Sequence, residues 1–304
     1  MAEIPLDKNI KFPERLVTDL SEPLLKNSSL YYLERQSGPG VPGGFGSTWS
    51  DLWQVDHQDY RLGSQHWLPE VRVGTGWDFG DIARGPGKSF YAVDNETQKL
   101  WWYRHRGGEH WLKRLDVDNG WYVTSTEPAP DTFIGIFADQ QYLSTKPNKG
   151  ATIYVVTAMG DLLWYRHKQD AENPKDWVTD SGKRVGNGWI SGFHRVFSGG
   201  DGIIYLIADD GTLFWYFHEG HLTGLEEWKA RTIVGSEWTQ FRYVTSIGKG
   251  YIYAQDDNGH LYLYHHLGYQ DGSNSWAPRK LVSKRFGGRQ IVGNSVSLEV
   301  THLH

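Results

Sequence analysis

The chain has 304 residues with 31 basic and 36 acidic side chains, a formal net charge of −5, and no cysteine. Charge is spread evenly with no basic stripe, which argues against nucleic acid as a partner, and disulfide or thiol redox chemistry is excluded. The excess lies in 15 Trp, 17 Tyr and 12 Phe beside 36 Gly, the mixture that short strands joined by tight turns require.

Taken in chain order, residues 1–28 carry charges throughout and read as an N-terminal extension, with no signal-peptide core. No stretch is apolar enough to span a membrane. The expected compartment is the cytoplasm, or the outside by a route not visible in this sequence. Two sequons, at Asn27 and Asn95, read as chance matches. Ser29-Leu-Tyr-Tyr32 is a candidate first strand, and the Gly- and Pro-rich run 36–50 reads as a flexible loop.

From Asp51 onward one word recurs five times: Asp51-Leu-Trp-Gln-Val-Asp-His57, Lys99-Leu-Trp-Trp-Tyr-Arg-His105, Asp161-Leu-Leu-Trp-Tyr-Arg-His167, Thr212-Leu-Phe-Trp-Tyr-Phe-His218 and His260-Leu-Tyr-Leu-Tyr-His-His266. Its leucines stand 48, 62, 51 and 48 residues apart, a period of the length that propellers use. The word is short, aromatic and alternating, so it reads as a strand. An apolar-Tyr strand precedes it (Ile153-Tyr154, Ile204-Tyr205, Ile252-Tyr253), and turns such as Asp210-Gly211 and Asn258-Gly259 join the two. A Trp follows ten residues after His57, His167, His218 and His266, and six after His105. A second aromatic closes each unit: Trp77, Trp121, Trp189, Trp238 and Phe286.

The predicted fold is therefore all-β, a single five-bladed β-propeller over residues 1–304, with six blades as the alternative. Val296–Val300 or Ser29–Tyr32 is expected to complete a blade shared by the two chain ends, which would remove open sheet edges. Residues 124–150 read as an insertion before the third repeat, carrying Phe133, Ile134 and Phe137.

The fourth repeat, Trp228-Lys-Ala-Arg-Thr-Ile-Val-Gly-Ser-Glu-Trp238-Thr-Gln-Phe241 with Gly248-Lys-Gly-Tyr-Ile-Tyr253, resembles the tachylectin family of β-propeller lectins. The Leu-x-Trp-Tyr-Arg-His word is also similar to tachylectin-like propellers. The first repeat departs most, with Gln54, Val55 and Asp56 where Trp, Tyr and Arg stand elsewhere. The resemblance implies a five-bladed ring with metal-independent carbohydrate sites near blade junctions, one per repeat at most, and no cofactor; homo-oligomerisation is left open.

The expected ligand-binding set is Trp77, Trp121, Trp189 and Trp238 at the strand ends. From the recurring word it adds Trp102, Trp164, Trp215, Arg104, Arg166, His167 and His218. For the histidines and tyrosines of that word the competing expectation is inter-blade packing and hydrogen bonding. Two other functions compete with the lectin: an enzyme of cyclase or cycloaddition type with one aromatic-lined pocket at the axial mouth, and a protein-interaction ring. No catalytic motif or metal-ligand spacing is visible, so no catalytic or metal residue is expected.

Overall fold

A computed structural model describes residues 27–37, 48–117, 133–139 and 150–298. Five sheets surround one axis. Blade 2 runs outward from Phe79–Gly85 through Ser89–Asp94 and Leu100–Gly107 to the short pairs His110–Trp111 and Leu115–Asp116. Blade 3 uses Phe133–Asp139, Ala151–Thr157, Leu162–His167 and Lys183–Gly186. Blade 4 uses Phe193–Gly200, Ile203–Ala208, Leu213–His218 and Trp228–Gly235. Blade 5 uses Phe241–Gly248, Tyr251–Asp256, Leu261–His266 and Trp276–Ser283. The recurring word is the third strand of every blade. Both its faces are buried because each sheet is sandwiched between two others: Leu162, Trp164, Tyr165, Arg166 and His167 are all at most 9% exposed.

Blade 1 joins the chain ends. Asn27–Ser37 and Thr48–Gln58 form its hairpin, Val71–Gly74 its outer strand, and Arg289–Val292 its innermost strand. The register pairs Tyr31 with Val292 and Glu34 with Arg289. Closure by the two termini is thus observed, but the C-terminal partner is Arg289–Val292 rather than Val296–Val300. The reason is spacing. An inner strand starts at Phe241, directly after the Trp238 turn, and Arg289 stands in the same relation to Phe286. Its polar Arg-Gln start hides it from a search for apolar alternation.

The chain beyond the closing strand crosses the axis. Gly293 passes so near Thr245 that an added Cβ would lie 2.2 Å from its hydroxyl, so a larger residue has no room there. Arg84 of blade 2 donates its backbone N–H to the Gly293 carbonyl and Ser198 of blade 4 to that of Asn294. Ser295–Ser297 then pairs with the inner edge of blade 4, Val296 opposite Val196. Val296 and Leu298 join the apolar cluster of Phe137, Tyr154 and Val196. The segment acts as an axial plug tying several blades together.

Both insertions are corrected in part. Gln36 and Ser37 pair with Trp49 and Thr48, so the ends of the 36–50 run are ladder rather than loop. Phe133–Asp139, inside the expected 124–150 insertion, is the inner strand of blade 3, with Phe137 stacked on Tyr154 at 5.1 Å. Residues 38–47, 118–132 and 140–149 lie outside the described residues, as do 1–26 and 299–304; the strand beginning at Asn27 starts within the expected 1–28 extension. Among the described residues, no helix is long and apolar enough to cross a membrane.

Candidate functional site

Every blade junction carries the same clasp. The buried histidine of one blade takes the hydroxyl of a tyrosine from the preceding blade: His57 with Tyr253 at 2.7 Å, His105 with Tyr31 at 2.9 Å, His167 with Tyr91 at 2.8 Å, His218 with Tyr154 at 2.7 Å and His266 with Tyr205 at 2.8 Å. Each ring's other nitrogen meets a backbone carbonyl, of Ser64, Gly108, Pro174, Leu225 or Ser273. A carbonyl only accepts, so Nε2 carries the proton and the tyrosine donates to Nδ1. The same imidazoles pack on Trp67, Trp111, Trp177, Trp228 and Trp276 at centroid distances of 4.2–4.9 Å, stacked on Trp67, Trp228 and Trp276 and tilted on Trp111 and Trp177. Those indoles in turn donate to the carbonyls of Val282, Val73, Val117, Val185 and Val234 in the preceding blade. Burial holds all five imidazoles below the ordinary histidine pKa, His167 and His218 down to about 4.

This geometry takes His167 and His218 out of reach of a ligand; both are 0% exposed. Trp102, Trp164 and Trp215 follow them, for they too are fully buried. Trp164 and Trp215 donate to the carbonyls of His221 and Tyr269 in the next blade's loop, each at 2.8 Å, and Trp102 meets His167 edge-on at 5.2 Å. Arg166 is buried against Thr152, which accepts its guanidinium at 2.9 Å. Arg104 is exposed. Trp121 lies outside the described residues.

The strand-end tryptophans Trp77, Trp189 and Trp238 keep 4–6% of their surface. At the junction of blades 1 and 2, Trp77 packs on Tyr103 at 4.9 Å and Trp111 at 5.1 Å. At blades 3 and 4, Trp189 packs on Tyr216 at 5.2 Å and Trp228 at 5.6 Å. At blades 4 and 5, Trp238 packs on Tyr264 at 4.8 Å and Trp276 at 5.8 Å. The indole nitrogens lie over Gly74, Gly186 and Gly235, where an added Cβ would sit 2.2–2.7 Å away, so glycine is what lets each Trp fold back onto its strand. Three residues beyond Trp111, Trp228 and Trp276 stand the exposed Arg114, Arg231 and Arg279. Arg231 and Arg279 donate to the Tyr216 and Tyr264 hydroxyls at 3.4 and 3.3 Å, and Arg114 hydrogen-bonds Tyr103. Their guanidinium groups lie over Phe214, Tyr262 and Trp101.

Three junctions thus share an aromatic floor with an exposed, always-charged donor fork at its rim. These arginines were absent from the expected set, although the spacing Trp-x-x-Arg in three repeats is visible in the sequence. The junction of blades 2 and 3 has Tyr165 beside Trp177 at 5.9 Å, with Asp180 in the arginine's place. Truncating Trp238→Ala is expected to destabilise the protein by about 3–5 kcal/mol, because its ring fills the core with Phe241, Tyr264 and Trp276. Urea denaturation checks this, and a loss below about 1 kcal/mol would contradict the packing.

The axis also holds a cavity of about 860 Å³. Its wall carries Asp78, Asp81, Asp256 and Asp257 together with Arg35, Arg195, Arg242 and Arg289, and its aromatic lining is Trp77, Phe79 and Tyr243. The mouth thus combines charged groups with aromatic and aliphatic side chains. Burial pushes the Asp81 carboxyl up to about 6 even though the Ile136 and Ile82 amides donate to it.

Residues 155–289 match the Tachylectin family. No curated protein matches the chain. Among solved structures the chain is similar to AofleA from Arthrobotrys oligospora, at 12% identity over 88% of this chain and 93% of that one, with a TM-score of 0.41. It is similar to a mutant of the Aleuria aurantia lectin in complex with alpha-methyl-L-fucoside, at 13% identity over 83% and 78%, TM-score 0.39. A third likeness is to yeast RCC1 (Prp20) bound to Kap60, at 14% identity over 82% and 64%, TM-score 0.33. The blade count rests on the strand pairings of this chain and not on these overlaps.

Proposed function

We propose, from the Tachylectin match over residues 155–289 and the three equivalent blade junctions, that this chain is a lectin. It binds neutral saccharides, without a metal, at the junctions of blades 1/2, 3/4 and 4/5. The repeated Trp–Tyr–Arg set carries the reading. The exposed guanidinium forks of Arg114, Arg231 and Arg279 donate to sugar hydroxyls, while the half-buried Trp111, Trp228 and Trp276 offer apolar edges to the C–H face of the ring. The rims are shallow, so one site alone is weak and three on one ring raise avidity toward a multivalent glycan.

The test is a glycan-array screen followed by calorimetric titration of the best neutral hit. About three equivalent sites are expected. Arg231→Ala should remove one and Arg231→Ala with Arg279→Ala two, since a lost charge-assisted hydrogen bond weakens a site by roughly 10- to 100-fold. Both arginines are exposed, so unfolding does not confound the result. Unchanged stoichiometry and affinity in the double variant would sink the assignment.

A further inference from the structure

The junction of blades 5 and 1, where the two ends of the ring meet, is built from the same positions with different chemistry. The equivalence is set by the backbone: Trp189, Trp238 and Phe286 each donate their amide to the hairpin turn of their own blade, at Gly160, Gly211 and Gly259, and Trp77 donates to Ser50 in the third strand of its own blade. At this seam Phe286 replaces the tryptophan, and Ser283 replaces the glycine that the indole elsewhere requires. Val55 takes the tyrosine position, and Glu70, three residues after Trp67, takes the arginine position. Smaller side chains leave a cavity of about 750 Å³ between Trp67, Phe286, Val55 and Glu70.

The charge is inverted as well. The two residues before the aromatic are Thr75-Gly76, Asn187-Gly188 and Ser236-Glu237 at the other three junctions, and Lys284-Arg285 at the seam. The left-handed residue, which stands just before the tryptophan at Gly76, Gly188 and Glu237, follows the phenylalanine at Gly288 instead, so the seam turn has its own shape. Lys284, Arg285 and Arg289 line the cavity against one carboxylate, Glu70. Arg289 is committed to Glu70 by two bonds of 2.6 and 2.9 Å, and Tyr32 donates to the same carboxylate at 2.8 Å. Burial pushes the Glu70 carboxyl up, but these bonds and the charges of Arg289 and Arg285 outweigh it and hold Glu70 below its ordinary pKa. Glu70 is therefore an ionised, spoken-for wall, while the exposed Lys284 and Arg285 side chains form no ion pair among the described residues.

We propose that the seam is a binding site distinct from the other junctions, and that it takes an anionic saccharide, a pyranose bearing a carboxylate or a sulfate. Trp67 and Phe286 supply the apolar floor for the ring, and Lys284 and Arg285 supply the unspent positive charge that a neutral sugar does not use. The inference rests on the lectin reading of the fold and adds to it the charge class of one site.

The test is titration of the full chain with methyl β-glucuronide, with glucose 6-sulfate and, as the neutral reference, with methyl β-glucoside. At low ionic strength at least one of the two anionic sugars is expected to bind tenfold or more tighter than the glucoside, with the advantage shrinking as salt rises. Which of the two is preferred tells carboxylate from sulfate recognition. The double substitution Lys284→Ser with Arg285→Glu, which writes the blade 4 residues into the seam turn, is expected to abolish that advantage while leaving the neutral hit at the other three junctions unchanged. Equal binding of anionic and neutral sugars, an advantage that survives the double substitution, or equal competition by inorganic sulfate would each overturn the proposal. Failure of the Arg231 and Arg279 variants to alter neutral binding overturns the lectin assignment instead, so the two failures are distinguishable.

Discussion

Replacing His218 with leucine is expected to lower the unfolding free energy by about 3–5 kcal/mol. The substitution removes an acceptor from the Tyr154 hydroxyl and a donor from the Leu225 carbonyl, both inside the junction of blades 3 and 4. Each group stranded in a buried setting costs about 1–3 kcal/mol. Loss of the stack on Trp228, at 4.3 Å, adds to this. Urea denaturation with a double-mutant cycle against Tyr154→Phe measures it, and the pair should couple by about 1 kcal/mol or more because the two side chains share one bond. A single-mutant loss under about 1 kcal/mol with no coupling would show that the clasp contributes geometry but little stability. The same result should recur at the other clasps, whose partners are the same atoms in the same order.

The second large effect is on pH. The five clasp histidines, with His221 and His265, have folded-state pKa values below the ordinary 6.5, first because of burial. The unfolded chain therefore binds more protons than the folded one between pH 6.5 and about 4, and stability rises with pH across that window. The contribution is fully present above 6.5 and is lost as the pH falls toward 4. His167 and His218, at about 4, contribute on the order of 3 kcal/mol each, a large share of the 5–15 kcal/mol that holds a typical domain.

Two carboxyls work in the opposite sense. Burial raises Asp81 to about 6, and burial together with Asp201 raises Asp139 to about 8, so each favours the folded state on the acid side. Below pH 6.5 the two sets oppose each other: His167 and His218 are offset by Asp81 and Asp139, and the five other lowered histidines tip the balance toward loss of stability in acid. Stability should fall as the pH drops from 6.5 toward 4. Urea midpoints at pH 7 and pH 5 with unchanged m-value check this; equal midpoints would show that the lowered histidines do not outweigh the two raised carboxyls.

How far the sequence reaches can be judged from the clasp. The order Leu, Trp, Tyr, His along one strand and the Trp ten residues later follow a local period, so strand, turn and blade number are legible in it. Inter-blade packing was also the competing expectation for these histidines. The identity of the partner was not legible, because Tyr154 and His218 are 64 residues apart and Tyr253 and His57 are 196 apart; no local spacing joins such pairs. The exposed arginines repeat as Trp-x-x-Arg in three repeats, but their value depends on whether a tyrosine hydroxyl stands opposite.

What the sequence determined by itself is the architecture: an aromatic strand repeated at about 50 residues, with a hairpin-forming Gly turn before it in the third to fifth repeats, leaves a stack of sheets as the way to bury both faces of every strand. What only the tertiary structure decided is how the ring closes and which junctions are alike. Arg289–Val292 became the closing strand because the inner place in blade 1 was vacant at that spacing, whereas Val296, with the better strand pattern, went on to fill the axis. The seam differs from the other junctions because its two sides come from opposite ends of the chain. Val55, Glu70, Ser283 and Phe286 are unremarkable one by one, and become a cavity only when the ring brings them face to face.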